Sequence, residues 1–155
     1  MAVISVDYQS QTAMSASSNL SSQPSNTVRG MGSVAASQFG SNPVGYKVDA
    51  KITLTGSGVT STGYISFYLV ESNDGGTTWT DSVNVSTTAS QGLTNARLVA
   101  TAIATANSQV VSVNFDLPTL MAPQTFSIMV SNATGAAFSN AGYAIHVLPV
   151  NYQVA

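Results

Sequence analysis

Between residues 47 and 54 every second side chain is apolar: Val48, Ala50, Ile52 and Leu54 alternate with Lys47, Asp49, Lys51 and Thr53. A period of two places the apolar set on one face of an extended strand, whereas a helix needs apolar residues three and four apart. The period returns in Ile65, Phe67 and Leu69, in Val111, Val113, Phe115 and Leu117, in Phe126, Ile128 and Val130, and in Tyr143, Ile145 and Val147. Tyr64, Tyr68 and Val70, on the alternate face of the second run, are also apolar or aromatic, which suits a central strand. Residues 97–105 fit a strand or a short helix, and their β-branched content favours the strand. Turn signals separate the runs, at Gly56 and Gly58, from Asn73 to Gly76, at Leu117-Pro118 and from Asn132 to Gly135. With no long amphipathic helical pattern, the expectation is an all-β chain. It should form a single β-sandwich, jelly-roll or Ig-like, of about seven to ten strands with about 5–6 residues each.

The two ends share a pattern, Val-Ile-Ser-Val-Asp-Tyr-Gln near the start and Leu-Pro-Val-Asn-Tyr-Gln near the finish, and both read as edge strands. Residues 9–43 are instead rich in Ser, Gln, Asn and Gly. That composition predicts an extended arm, held by a neighbouring subunit because so polar a segment gains little by packing on its own surface. The expected organisation is therefore an N-terminal strand and arm over 1–43, followed by the sandwich over 44–155.

Composition narrows the function classes. Only 6% of the 155 residues are Asp, Glu, Lys or Arg, while 44% are hydrophobic. Low charge without low hydrophobicity does not describe a disordered chain. The four cations, Arg29, Lys47, Lys51 and Arg97, are scattered, and the net charge is −2. Nucleic-acid binding rests on clustered Lys and Arg, so neither nucleic acid nor an anionic membrane is an expected partner. The absence of cysteine removes disulfide frameworks and the usual structural zinc sites. The start of the sequence does not read as a signal peptide, and the sequons at Asn19, Asn84 and Asn132 are taken as incidental.

One motif stands out. Ser72, Asp74, Gly76, Thr78 and Trp79 follow the pattern S-x-D-x-G-x-T-W. At this spacing Asp74 can accept hydrogen bonds from N–H groups across a tight turn, Gly76 can take a positive φ, and Trp79 can fold over the turn into the core. The motif resembles the Asp-box of sialidases and other β-proteins, where it is structural and lies away from the chemistry. It predicts a stapled hairpin joining residues 64–71 to residues 77–85.

Groups for catalysis are few. His146 is the sole histidine and falls on the polar face of an alternating strand. A Ser-His-Asp triad would have to assemble around it, and no nucleophile elbow is present. Glu71, Asp74 and Asp81 flank the expected hairpin and could offer oxygens to Ca²⁺, but their spacing is not that of an EF-hand, so a solvated turn is preferred. The six tyrosines (8, 46, 64, 68, 143 and 152) could stack on a sugar, although core or subunit packing is the simpler use at strand spacing. The expectation is a protein that is not an enzyme and has no catalytic, metal or cofactor residues.

A Cys-free, Ser/Thr/Ala-rich sandwich with a D-G-G-T-T-W turn and the stretch FSIMVSNATG at residues 126–135 resembles the small structural proteins of tailed-bacteriophage virions. The resemblance implies a location in the virion. It also implies a capsid decoration, or cement, role: binding the major capsid protein or another virion protein, as a homo-oligomer. A tail or head-fibre component is the nearest alternative, and a glycan-binding β-sandwich module is the next.

Overall fold

The computed structural model describes residues 4–8, 10–15, 17–39, 43–117 and 125–154. Ten strands follow in order: β1 (Ile4–Tyr8), β2 (Thr12–Ala13), β3 (Thr27–Gly30), β4 (Val34–Ala35), β5 (Gly45–Thr53), β6 (Tyr64–Ser72), β7 (Arg97–Ile103), β8 (Val110–Leu117), β9 (Thr125–Ala133) and β10 (Ala144–Val154). Short 3₁₀ turns occupy Ser17–Leu20, Ala36–Phe39 and Thr80–Ser82. The turn expected at Leu117-Pro118 runs into residues outside the described set.

The strands form two antiparallel sheets. One runs β1-β10-β5-β8, with β2 also paired to β10, and the other runs β3-β9-β6-β7, with β4 also paired to β9. Both contribute an apolar face to a single core, in which Val48, Ile52, Ile145 and Val147 of the first sheet meet Ile65, Phe67, Phe126 and Ile128 of the second. This is the all-β sandwich that the period-two runs predict. Strand β5 shows the mechanism: Tyr46, Val48, Ala50 and Ile52 are buried, while Lys47 and Lys51 are exposed between them. Tyr46 packs between Phe39 and Phe126, at ring-centroid distances of 5.6 and 4.8 Å. Burial there pushes its phenol up to about 12.

The resemblance between the ends has a structural meaning, because β1 and β10 pair with each other, from Ile4 opposite Val154 to Tyr8 opposite Val150. The C-terminal run is not an edge strand, however, since β10 lies between β1 and β5. Strand β10 also continues through Pro149 to Val154. Pro149 falls between the stretch of β10 paired with β2 and the stretch paired with β1.

The expected arm takes a different form. Its described residues fold into the sandwich, through β2, β3, β4 and the two 3₁₀ turns between Ser17 and Phe39. Met14, Leu20, Met31 and Val34 enter the main core and anchor the segment at both of its ends. The polar side chains between them satisfy backbone. Gln23 donates from Nε2 to the carbonyls of Thr27 and Val130, both at 2.9 Å. The Asn19 amide donates to Gly30 O at 2.9 Å, and Arg29 donates to the carbonyls of Asn19 and Ser21 at 2.8 and 3.1 Å. Composition pointed to an arm because it does not distinguish Asn and Gln that solvate a chain from Asn and Gln that replace missing ladder bonds.

Strand β9 is buried along nearly its whole length, on both faces. The cover on the outer side is the segment between β6 and β7. Val83 and Val85 pack on Val70 and Met129, with Tyr68, Trp79, Val28, Leu93 and Ala96 around them, forming a second, smaller core. The N-terminal segment and this one also hold each other. Gly32 N–H donates to Val85 O at 2.7 Å, and Gln91 N–H donates to Val28 O at 2.9 Å. The crossing is so close that a Cβ on Gly30 would overlap the Val85 backbone.

Candidate functional site

The motif residues sit where β6 leaves its sheet, and the Asp74 carboxylate is the hub of the turn. Oδ1 accepts the N–H groups of Thr77 and Thr78 at 3.0 and 2.8 Å and the Ser72 hydroxyl at 2.7 Å. Oδ2 accepts the Thr78 hydroxyl at 2.7 Å. Ser72 Oγ in turn accepts Gly76 N–H at 2.8 Å, so hydroxyl and carboxylate relay through the turn. Gly75 and Gly76 both have positive φ, 73° and 98°, which side-chain-bearing residues rarely adopt. The Trp79 indole then lies across the turn, its Nε1 donating to Gly76 O at 3.1 Å. The Thr78 N–H and the Ser72 and Thr78 hydroxyls, with a lesser part from the Thr77 N–H, hold the Asp74 carboxyl well below the usual carboxylate range against an opposing desolvation.

Two parts of the expectation are corrected. Residues 77–85 are not a strand, and no hairpin joins them to β6; the antiparallel neighbours of β6 are β7 and β9. Trp79 is half-buried rather than buried, because it packs on the smaller outer core instead of the one between the sheets. The turn therefore does not reverse a strand. It starts a segment that crosses the outer face of the second sheet.

A second carboxylate fastens the far end of that segment. Asp81, in the left-handed region at φ 62°, accepts the N–H groups of Thr94, Asn95 and Ala96 at 2.8–2.9 Å and the Asn95 amide at 2.9 Å. Desolvation, the largest single influence, pushes its carboxyl up. The N–H groups of Thr94, Asn95 and Ala96, with the Asn95 side chain, outweigh it and leave the carboxyl below its ordinary value. Sequence reasoning missed this role, because a lone Asp bound 13–15 residues along the chain carries no local signature.

These geometries bear on chemistry. The oxygens of Asp74 and Asp81 face N–H and O–H donors, the reverse of what a cation asks of its ligands. Among the described residues no group of three His, Cys, Asp or Glu gathers. His146 stands half-buried on the outer face of the first sheet, opposite Asp49 of β5 and Ala13 of β2. Asp49 accepts from Gln11 Nε2 at 3.1 Å, and Asp116 forms an exposed ion pair with Lys47 at 3.6 Å. Exposed pairs of this kind contribute little to stability. The described tyrosines do not form a platform: Tyr46 is in the core, Tyr68 lies under the crossing segment, Tyr143 packs against the main core, and Tyr64 is 45% exposed. Tyr8 and Tyr152 have side chains outside the described set.

The sequons acquire a structural explanation. Asn19 and Asn132 are buried, and the Asn132 amide donates to Gln23 O and Ala136 O at 3.0 and 2.9 Å. Asn84 is exposed and accepts Ser86 N–H across a local turn at 3.0 Å. No protein-family model matches the chain, and comparison with curated proteins returns no match either.

Proposed function

We propose that this chain is a non-enzymatic structural protein of a virus particle, most nearly a decoration or cement protein that binds the major capsid protein and stabilises the shell. The observation that carries the reading is the use of the acidic residues Asp74 and Asp81. Asp74 closes the turn that opens the segment from 73 to 96 and Asp81 ties its middle to its end, while Val83 and Val85 pack it on Val70 and Met129, so that the segment is built surface rather than open loop. With so little charge elsewhere, the result is a rigid exterior of Ser, Thr, Asn and small apolar groups. Such a surface suits lasting contact with other protein, since few desolvated charges have to be repaired at the interface. A tail or head-fibre role draws on the same features and would differ in the partner. A glycan-binding role would need a platform of exposed aromatics, and among the tyrosines with described side chains only Tyr64 is exposed.

The test uses virus particles stripped of the protein. Purified chain should rebind them to a saturable, fixed stoichiometry and raise the temperature at which the shell opens. Binding to tails rather than shells would move the assignment to the fibre class. Failure to bind either, together with saturable binding to an immobilised glycan, would replace it with the carbohydrate reading.

A further inference from the structure

Among the described residues the two sheets have four edges between them, and these are not equally guarded. Exposed edges invite pairing with other chains, and folded proteins blunt them with charge, short strands or cover. Strand β1 carries Asp7, and β8 carries Asp116 beside Lys47. Strands β3 and β4 have four and two residues, and the outer side of β3 is bonded by Gln91 and Ser90. Strand β7 has seven residues, a single charge at its first position, and no partner on its outer side among the described residues.

Its side chains also match themselves. Leu98 pairs with Tyr68 and Ile103 with Tyr64 on β6, and the register shift between Phe67 and Tyr68 leaves both on the same, outer face. They are 54% and 73% exposed. In an antiparallel pair of β7 strands related by a two-fold axis at Thr101, Thr101 faces Thr101, Ala100 faces Ala102, and Leu98 faces Ile103. Each contact joins residues on the same face. The bulge is what makes this possible, because without it Leu98 and Ile103 would point to opposite faces. The only charge, Arg97, falls at the two ends of the ladder, about 20 Å from its counterpart at roughly 3.4 Å per residue, beyond the screening length in physiological salt.

We propose that β7 is a self-recognition edge, at which a second copy of this chain adds to make one sheet continuous across the dimer. Thr–Thr and apolar cross-strand pairs are favourable, and no like charges oppose one another. The inference does not rest on the virion reading: self-association and particle attachment are separate measurements, and either can fail alone.

Sedimentation velocity over about 1 μM to 1 mM, the range of a weak interface, should show a reversible dimer. Ile103→Lys puts a charge against Leu98 of the other copy and should raise the dissociation constant at least about tenfold. Leu98→Glu combined with Ile103→Lys gives each contact opposite charges and should recover most of the loss. A second measurement does not depend on those variants folding. The chain has no cysteine, so Thr101→Cys places one thiol at the axis, where opposed Cβ atoms lie about 4.5–5.5 Å apart. Mild oxidation should give a covalent dimer, whereas the control Ser112→Cys, on the exposed face of the other sheet, should not. A monomer at all concentrations, or crosslinking at 101 no faster than at the control, would overturn the proposal.

Discussion

At the scale of single residues, Asp74 works through hydrogen-bond acceptance, which makes its contribution depend on pH. Its folded-state pKa lies below the ordinary value of 3.8. The stabilisation is therefore complete above that value and is lost as pH falls through the folded pKa. Trp79, the sole tryptophan, lies across the same turn and reports it. Its emission should hold steady from neutral pH to about 4 and shift red in stronger acid. In Asp74→Asn the shift should already be present at neutral pH, as read by fluorescence titration. Asn132 tests a buried counterpart. Its amide and carbonyl serve Gln23, Ala136 and Thr134 at full burial. Asn132→Ala should cost about 1–3 kcal/mol in urea unfolding, because it strands the buried Thr134 N–H while Phe138 N–H and the Thr134 hydroxyl still serve the Gln23 and Ala136 carbonyls.

Among the elements, β6 and β9 are the ones whose neighbours decide their character. Ser127 and Met129 are fully buried on a face that alternation marks as outward, because residues 73–96 lie over it. The covering segment has little regular structure of its own, so it depends on the two carboxylate anchors and on its small apolar cluster. Trp79→Ala should cost about 2 kcal/mol, less than the roughly 3–5 kcal/mol of a core tryptophan, since the ring is only half-buried. Amide exchange should localise the loss. Protection should fall across residues 77–96 while β5 and β8 are unchanged, and a uniform loss would mean that the segment is integral to the main core.

Across the whole molecule, the segment from 10 to 39 is a structural part of the sandwich, supplying strands to both sheets. Met14, Leu20, Met31 and Val34 are buried, and each such side chain contributes about 1.5–3 kcal/mol. Their sum is comparable with the roughly 5–15 kcal/mol that separates folded from unfolded domains. Deleting residues 10–39 should therefore abolish the cooperative thermal transition seen by circular dichroism. A truncated chain that melts like the full one would restore the arm.

What could be read in advance was local. Alternation over five to nine residues exposes strand faces directly, and the Asp74 turn closes within four residues, so both left a pattern in the order of side chains. What could not be read depended on distant chain. The Asp81 anchor waits for residues 94–96, and Asn19 and Gln23 bond to carbonyls of β3 and β9 and of Thr87. The second buried face of β9 exists only once another segment lies on it. Sequence pattern specifies which face of a strand is apolar, because the pleat is geometric. The partner that takes up a polar group, or covers a second face, is chosen by the fold, where burial makes any unpaired donor or acceptor costly.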